Sequence, residues 1–214
     1  MRVEVGIDDA RVLGGSHGCG LGGHLGTTFA PLRRFGAGPG TAVGVVGVGG
    51  LGHLAIRFSH ALGARTVAFT TSDAKRDAAL ALGADDVVVS RDADAMAGAF
   101  RSLDLVLDTT GAELDIAPYL NALAVDGTYV LAGIPPKPLT VDPMSLLVGE
   151  KRIAGTGSGG VPMTREMLDF SAAHGIAADV EVLSPGELGG ALDRLERGDV
   201  RFRFVLDMTP SGTE

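Results

Sequence analysis

The chain has 214 residues, with 18 Lys and Arg against 26 Asp and Glu and a formal charge of -8, which argues against nucleic acid or an anionic membrane surface as its main partner. Its single cysteine, Cys19, excludes an internal disulfide framework, and with no apolar run near the ~20 residues of a membrane span and no signal-peptide pattern, a soluble cytoplasmic protein is expected. Glycine is in excess, with 33 residues at about twice the usual share, sixteen of them among the first 52 positions.

In chain order, residues 1–26 show neither helical nor strand periodicity. Gly14, Gly15, Gly18, Gly20, Gly22, Gly23 and Gly26 make regular structure costly there, so a loop or disordered segment is expected. From Thr41 onward, short β-branched runs alternate with helical stretches, the pattern of βαβ units around a parallel sheet covered on both faces. The expected strands are Ala42 to Val48, Arg65 to Thr70, Asp86 to Ser90, Leu103 to Asp108, Thr128 to Ile134 and Lys151 to Thr156. Between them, Leu51 to Leu62 carries a helical stripe of Leu51, Leu54, Ala55, Phe58 and Leu62, stopped by Gly63. Asp73 to Leu82, Asp92 to Phe100, Leu114 to Ala124 and Thr164 to His174 read as further helices, the last opening at Pro162. A tail follows, with strands at Val180 to Leu183 and Phe202 to Asp207 around a helix from Glu187 to Arg197. The expected fold is α/β, a doubly wound parallel sheet, of order 3-2-1-4-5-6 if it is the dinucleotide-binding kind. The expected division is a glycine-rich segment over 1–26, a dinucleotide-binding domain over 27–178 and a C-terminal segment over 179–214.

Gly47-Val48-Gly49-Gly50-Leu51-Gly52 has the GxGxxG pattern, directly after an apolar strand and at the opening of a helix. That context presents backbone N–H groups and a positive helix end to a pyrophosphate. Gly47 makes the tight turn in this reading, Gly49 lets phosphate approach the backbone, and Gly52 allows close packing of helix on strand. The second strand ends in Thr70-Thr71-Ser72, with Lys75 and Arg76 just beyond, where an NAD site usually places a carboxylate. A carboxylate facing a 2′-phosphate would be repelled, whereas three hydroxyls and two cations favour it, so NADP(H) is expected over NAD(H). The plainer alternative is a solvated helix start in which Ser72 is the cap and Lys75 and Arg76 face water.

With those segments, the sequence resembles the zinc-dependent medium-chain alcohol dehydrogenases, in particular the cinnamyl-alcohol-dehydrogenase-like, NADP-dependent aldehyde reductases. The resemblance rests on Thr27-Thr28-Phe29-Ala30-Pro31-Leu32, on Val45 to Ala55, on Thr70-Thr71-Ser72 with Lys75-Arg76, on Leu80 to Asp85, on Pro135 to Pro138, on Met167 to Phe170 and on Gly198 to Val205. It implies a Rossmann domain followed by a remnant of the catalytic domain, and hydride transfer between NADPH and a small aldehyde or primary alcohol. It further implies that Gly47 to Gly52 hold the pyrophosphate, that Thr70, Thr71, Ser72 and Lys75 hold the 2′-phosphate, and that Thr109, Gly133, Thr156, Gly157 and Ser158 line the ribose and nicotinamide. Thr27 is implied near the nicotinamide and Arg203 near the phosphates, and the sixth strand is implied as the edge of a homodimer.

The family's zinc is held by a cysteine, a histidine-glutamate pair and a second cysteine shortly before the Thr-Thr step. No Gly-His-Glu and no four-cysteine cluster occurs here, and the expected second cysteine falls on Gly23. Zinc is therefore expected for the family and not for this chain, which reads as the cofactor-binding half without most of the N-terminal catalytic domain. Such a chain is expected to be weakly active or inactive alone, with no catalytic residue of its own. The alternative is a non-catalytic NADP(H)-binding or dimerisation module. His17, Cys19 and His24 share one glycine-rich stretch, but their spacing matches no zinc finger and a flexible loop loses much entropy in closing around a metal. His53 reads as a polar residue at a helix start, within reach of phosphate.

Overall fold

The computed structural model describes residues 19–197 and 202–207. Six parallel strands, β1 (Ala42–Val46), β2 (Arg65–Thr70), β3 (Asp86–Val89), β4 (Leu103–Asp108), β5 (Leu123–Leu131) and β6 (Arg152–Gly155), lie in the order β3-β2-β1-β4-β5-β6. Their near-continuous apolar runs reflect burial on both faces. Val43, Val45, Leu105, Leu107 and Val130 point into one core, while Val46, Val67, Phe69, Val106 and Tyr129 point into the other. The first core is covered by α1 (Cys19–Arg34), α2 (Gly52–Ala61), α3 (Arg76–Ala81) and α7 (Gly160–His174), which contribute Phe29, Phe58, Ala79 and Met167. The second lies under α4 (Ala93–Gly98) and α5 (Ala117–Ala122), through Met96, Tyr119 and Leu120, with Leu146 of the short α6 (Pro143–Leu147) against it.

Three features depart from the sequence-based expectation. Residues 19–26 are the start of α1, not loop. Leu25, Thr28, Phe29 and Leu32 form its fully buried stripe, and Phe29 sets its ring edge-on to Phe58 at 5.2 Å and beside Phe170 at 5.3 Å. Burial of that stripe offsets a helix cost of ~1 kcal/mol per glycine. Gly26 is required by packing, since a Cβ there would sit 2.7 Å from the Ser158 carbonyl oxygen. The expected loop at residues 1–18 lies outside the described residues. Second, β5 begins at Leu123, not Thr128, because the chain passes through an irregularity in which Asp126 takes a positive φ of 64° and its N–H donates to Gly149. Third, α6 is an additional helix, capped by Asp142, whose carboxylate accepts the Met144 N–H at 3.0 Å, and opened by Pro143.

The C-terminal segment forms its own small unit. β7 (Glu181–Leu183) and β8 (Phe204–Leu206) pair in parallel around α8 (Leu188–Glu196). In β7, Val182 is 63% exposed, whereas Val205 of β8 is buried. No helix among the described residues is long and apolar enough to cross a membrane.

Candidate dinucleotide site

Between β1 and β4 the strand order changes direction, the point at which open α/β sheets take a ligand outside the carboxyl ends of their strands. The loop after β1 is Gly47 to Gly52. Gly47 turns with φ at +89°, and its N–H donates to the Phe69 carbonyl at 2.9 Å. A Cβ on Gly47 would lie 2.6 Å from the Thr110 methyl, and one on Gly52 would run into the Gly47 carbonyl, so both positions need glycine for close approach. A Cβ on Gly49 would meet nothing within 4 Å, leaving open space over the exposed centre of the loop. Val48 is buried, and Leu51 precedes the first turn of α2 without a side-chain cap.

The neighbouring loops are braced against this one. Asp108, buried at the end of β4, accepts from Tyr129 Oη at 2.7 Å, from the Thr110 N–H at 2.9 Å and from the Thr110 hydroxyl at 2.8 Å. Burial first, then the Asp108 charge, pushes the Tyr129 phenol far above its usual range, so it stays a donor. The Thr109 hydroxyl donates to the Val46 carbonyl at 2.8 Å and thus secures the base of the glycine loop. Gly133, after β5, lies so close that a Cβ would collide with the Thr110 carbonyl. Beyond β6, the half-buried Thr156 donates its N–H to Leu131 at 3.0 Å, and Gly157 and Ser158 are exposed. Thr27 is half-buried on α1, adjacent to the Gly26 contact with Ser158.

Two cations reach the loop. The Lys75 ammonium reaches the Val48 carbonyl at 3.4 Å, and the Arg203 guanidinium donates from Nη2 to the Gly50 carbonyl at 3.2 Å. Arg203 Nε is buried with no hydrogen-bond partner among the described residues, and burial pushes the guanidinium below its usual range. Arg76 does not join them, since its Nε pairs with Asp73 at 2.8 Å. Thr70 is buried and its hydroxyl bonds the Ser72 backbone, Thr71 is exposed, and Ser72 caps the following turn by accepting from the Ala74 N–H. Ser72 thus stands as a cap and Arg76 is paired with Asp73, while Lys75, itself exposed, leans back to the Val48 carbonyl.

The sequence made His53 a polar residue at a helix start, within reach of phosphate; it is instead fully buried behind the loop and stacks on Phe202 with ring centroids 4.3 Å apart. The available signal was its place four residues after Gly49, one helical turn on; nothing local pointed to Phe202 or to Asp179, 126 residues away.

A family model described as zinc-binding dehydrogenase matches residues 50–173. The chain belongs to that family. It is 50% identical over 182 residues to aldehyde reductase YahK of Escherichia coli K12, covering 85% of this chain and 52% of that protein. Its fold superposes on a cinnamyl alcohol dehydrogenase of Sorghum bicolor, SbCAD4, with a TM-score of 0.85 and 41% identity, over 90% of this chain and 55% of the other. A cinnamyl alcohol dehydrogenase of Helicobacter pylori solved with NADP(H) gives a TM-score of 0.76 at 28% identity, over 89% and 54%. The chain thus spans about half the length of these zinc-binding dehydrogenases, and the superposed region is the six-stranded nucleotide-binding architecture.

The zinc implied by the family name finds no fit among the described residues, where no three His, Cys, Asp or Glu side chains gather as a ligand set. Position 23 offers only glycine, and His17 lies outside the described residues.

Proposed function

We propose that this chain is the NADP(H)-binding half of an alcohol dehydrogenase or aldehyde reductase, holding the cofactor in the crevice between β1 and β4. The observation that carries this reading is the pair of cations brought to one glycine loop, Lys75 at Val48 and Arg203 at Gly50, with a buried Arg203 N–H still lacking a partner. A phosphate oxygen is the acceptor such a donor requires. In this reading the N–H groups of Gly49, Gly50 and Leu51 take the pyrophosphate, while Lys75, Thr71 and Ser72 face the 2′-phosphate at the end of β2. Thr109, Gly133, Thr156, Gly157, Ser158 and Thr27 border the ribose and nicotinamide end, with Thr109 acting mainly through the backbone it braces. The bound cofactor would supply hydride for the interconversion of an aldehyde and a primary alcohol. The residues described here bind and orient it, and this span alone is proposed to turn over little or no substrate.

Fluorescence titration tests the cofactor choice. NADPH should bind more tightly than NADH, and Lys75→Ala should weaken NADPH by roughly ten- to a hundredfold, the worth of one charge-assisted hydrogen bond, while leaving NADH unchanged. Equal affinities for the two cofactors would overturn the assignment.

A second reading, a dimerisation module, is favoured by β6 at the open edge of the sheet, beside exposed Val125, Leu147 and Val148.

A further inference from the structure

The centre of the glycine loop is held from behind by the C-terminal segment, and one buried side chain joins the two. His53 uses both ring nitrogens: Nδ1 lies 3.0 Å from the Gly49 carbonyl oxygen, and Nε2 lies 3.3 Å from the Asp179 backbone nitrogen. A carbonyl can only accept and a backbone N–H can only donate, so the ring is neutral, with its proton on Nδ1. A protonated ring would set an N–H against the Asp179 N–H. The charged groups facing the ring are Asp179, Arg57 and Arg203. Asp179 is itself fixed by Arg57, whose Nη2 donates to it at 2.8 Å and whose Nη1 donates to the Ala177 carbonyl. The ring face rests on Phe202, next to Arg203.

The Gly49 carbonyl also accepts the His53 backbone N–H at 3.0 Å, so one residue grips it twice. The next carbonyl, that of Gly50, is gripped by Arg203. In a planar trans peptide the N–H points opposite to the carbonyl. Holding the Gly49 and Gly50 carbonyls toward the helix and the C-terminal segment therefore aims the Gly50 and Leu51 N–H groups outward, toward the phosphate position.

We propose that His53 is a positioning residue for the cofactor loop, a neutral Nδ1–H latch that fixes the direction of the phosphate-binding N–H groups by tying Gly49 to Asp179 and Phe202. The role in cofactor binding rests on the NADP(H) reading above, whereas the latch itself does not. Long-range proton–nitrogen NMR of the wild-type imidazole near neutral pH should place the proton on Nδ1; a proton on Nε2, or on both nitrogens, would overturn the latch. In NADPH titrations, His53→Phe keeps the stack on Phe202 but loses both hydrogen bonds, and should weaken binding about tenfold. His53→Asn, whose amide N–H2 reaches the Gly49 carbonyl, should recover most of that loss. Equal weakening by the two variants, or none by His53→Phe, overturns the positioning role. Wild-type protein that binds no NADPH overturns the reading of the site and the positioning role together, and the nitrogen spectrum then still decides the latch.

Discussion

At the scale of single residues, His53 also ties the fold to pH. Burial, more than any other cause, lowers its pKa from 6.5 to about 4; the Gly49 carbonyl and Asp179 oppose the shift, and Arg57 and Arg203 add to it. The unfolded chain takes up this proton near 6.5 and the folded chain only near 4, so the unfolded state gains as pH falls through that window. Stability from this group is complete above the upper value and is lost on the way down to the lower one. Going from about pH 7 to about pH 5 should cost roughly 2 kcal/mol relative to His53→Phe, read from urea unfolding at the two pH values. The sequence made some of these roles legible and hid others, for a geometric reason. Gly47, Gly49 and Gly52 act on one another within six positions, so their pattern carries its own meaning. The long-range pairs Asp108 with Tyr129, His53 with Asp179 and Arg203 with Gly50 span from 21 to 153 residues, and no local period encodes such pairs.

Among the elements, α2 and the strands were legible because burial on a fixed face writes a period into the sequence. Strand β2 follows its expected bounds, and β1 stops short at Val46 because Gly47 takes the positive φ of the turn. Helix α1 was illegible, since seven glycines from position 14 to position 26 outweighed the buried stripe of Leu25, Phe29 and Leu32. Its stability rests on tertiary contact more than on helix propensity. Phe29→Ala should therefore cost about 3–5 kcal/mol by leaving a cavity between Phe58 and Phe170, and protease cutting within α1 should accelerate well before the sheet unfolds. A uniform loss of the whole fold at the same denaturant concentration would show instead that α1 and the sheet form one cooperative unit. The short α6 did carry a signal, Asp142 before Pro143, which is a capped helix start. Its few residues gave no periodic stripe to accompany it.

For the whole molecule, alternating strands and helices with right-handed crossovers pointed to a doubly wound sheet, and the glycine-loop motif to the dinucleotide-binding order β3-β2-β1-β4-β5-β6. What lay outside local reasoning was how the C-terminal segment meets the sheet, because Arg57 with Asp179 and Arg203 with Gly50 join positions 122 and 153 residues apart. The edge strand β6 bears on association. Met144, Leu147 and Val148 stand 56%, 69% and 46% exposed beside it, and a second copy paired there would cover them across a two-fold axis. Light scattering should give twice the chain mass for the wild type and the single mass for Leu147→Glu. A monomeric wild type would remove the dimer reading.

The reach of the Arg57, His53 and Arg203 contacts also orders events in time. A chain emerging from its N-terminal end has all six strands in hand at Gly155, while Asp179, Phe202 and Arg203 are still to come. The sheet can form before anything holds the glycine loop from behind. The strands of the platform are thus complete in the chain before the residues that hold the glycine loop from behind.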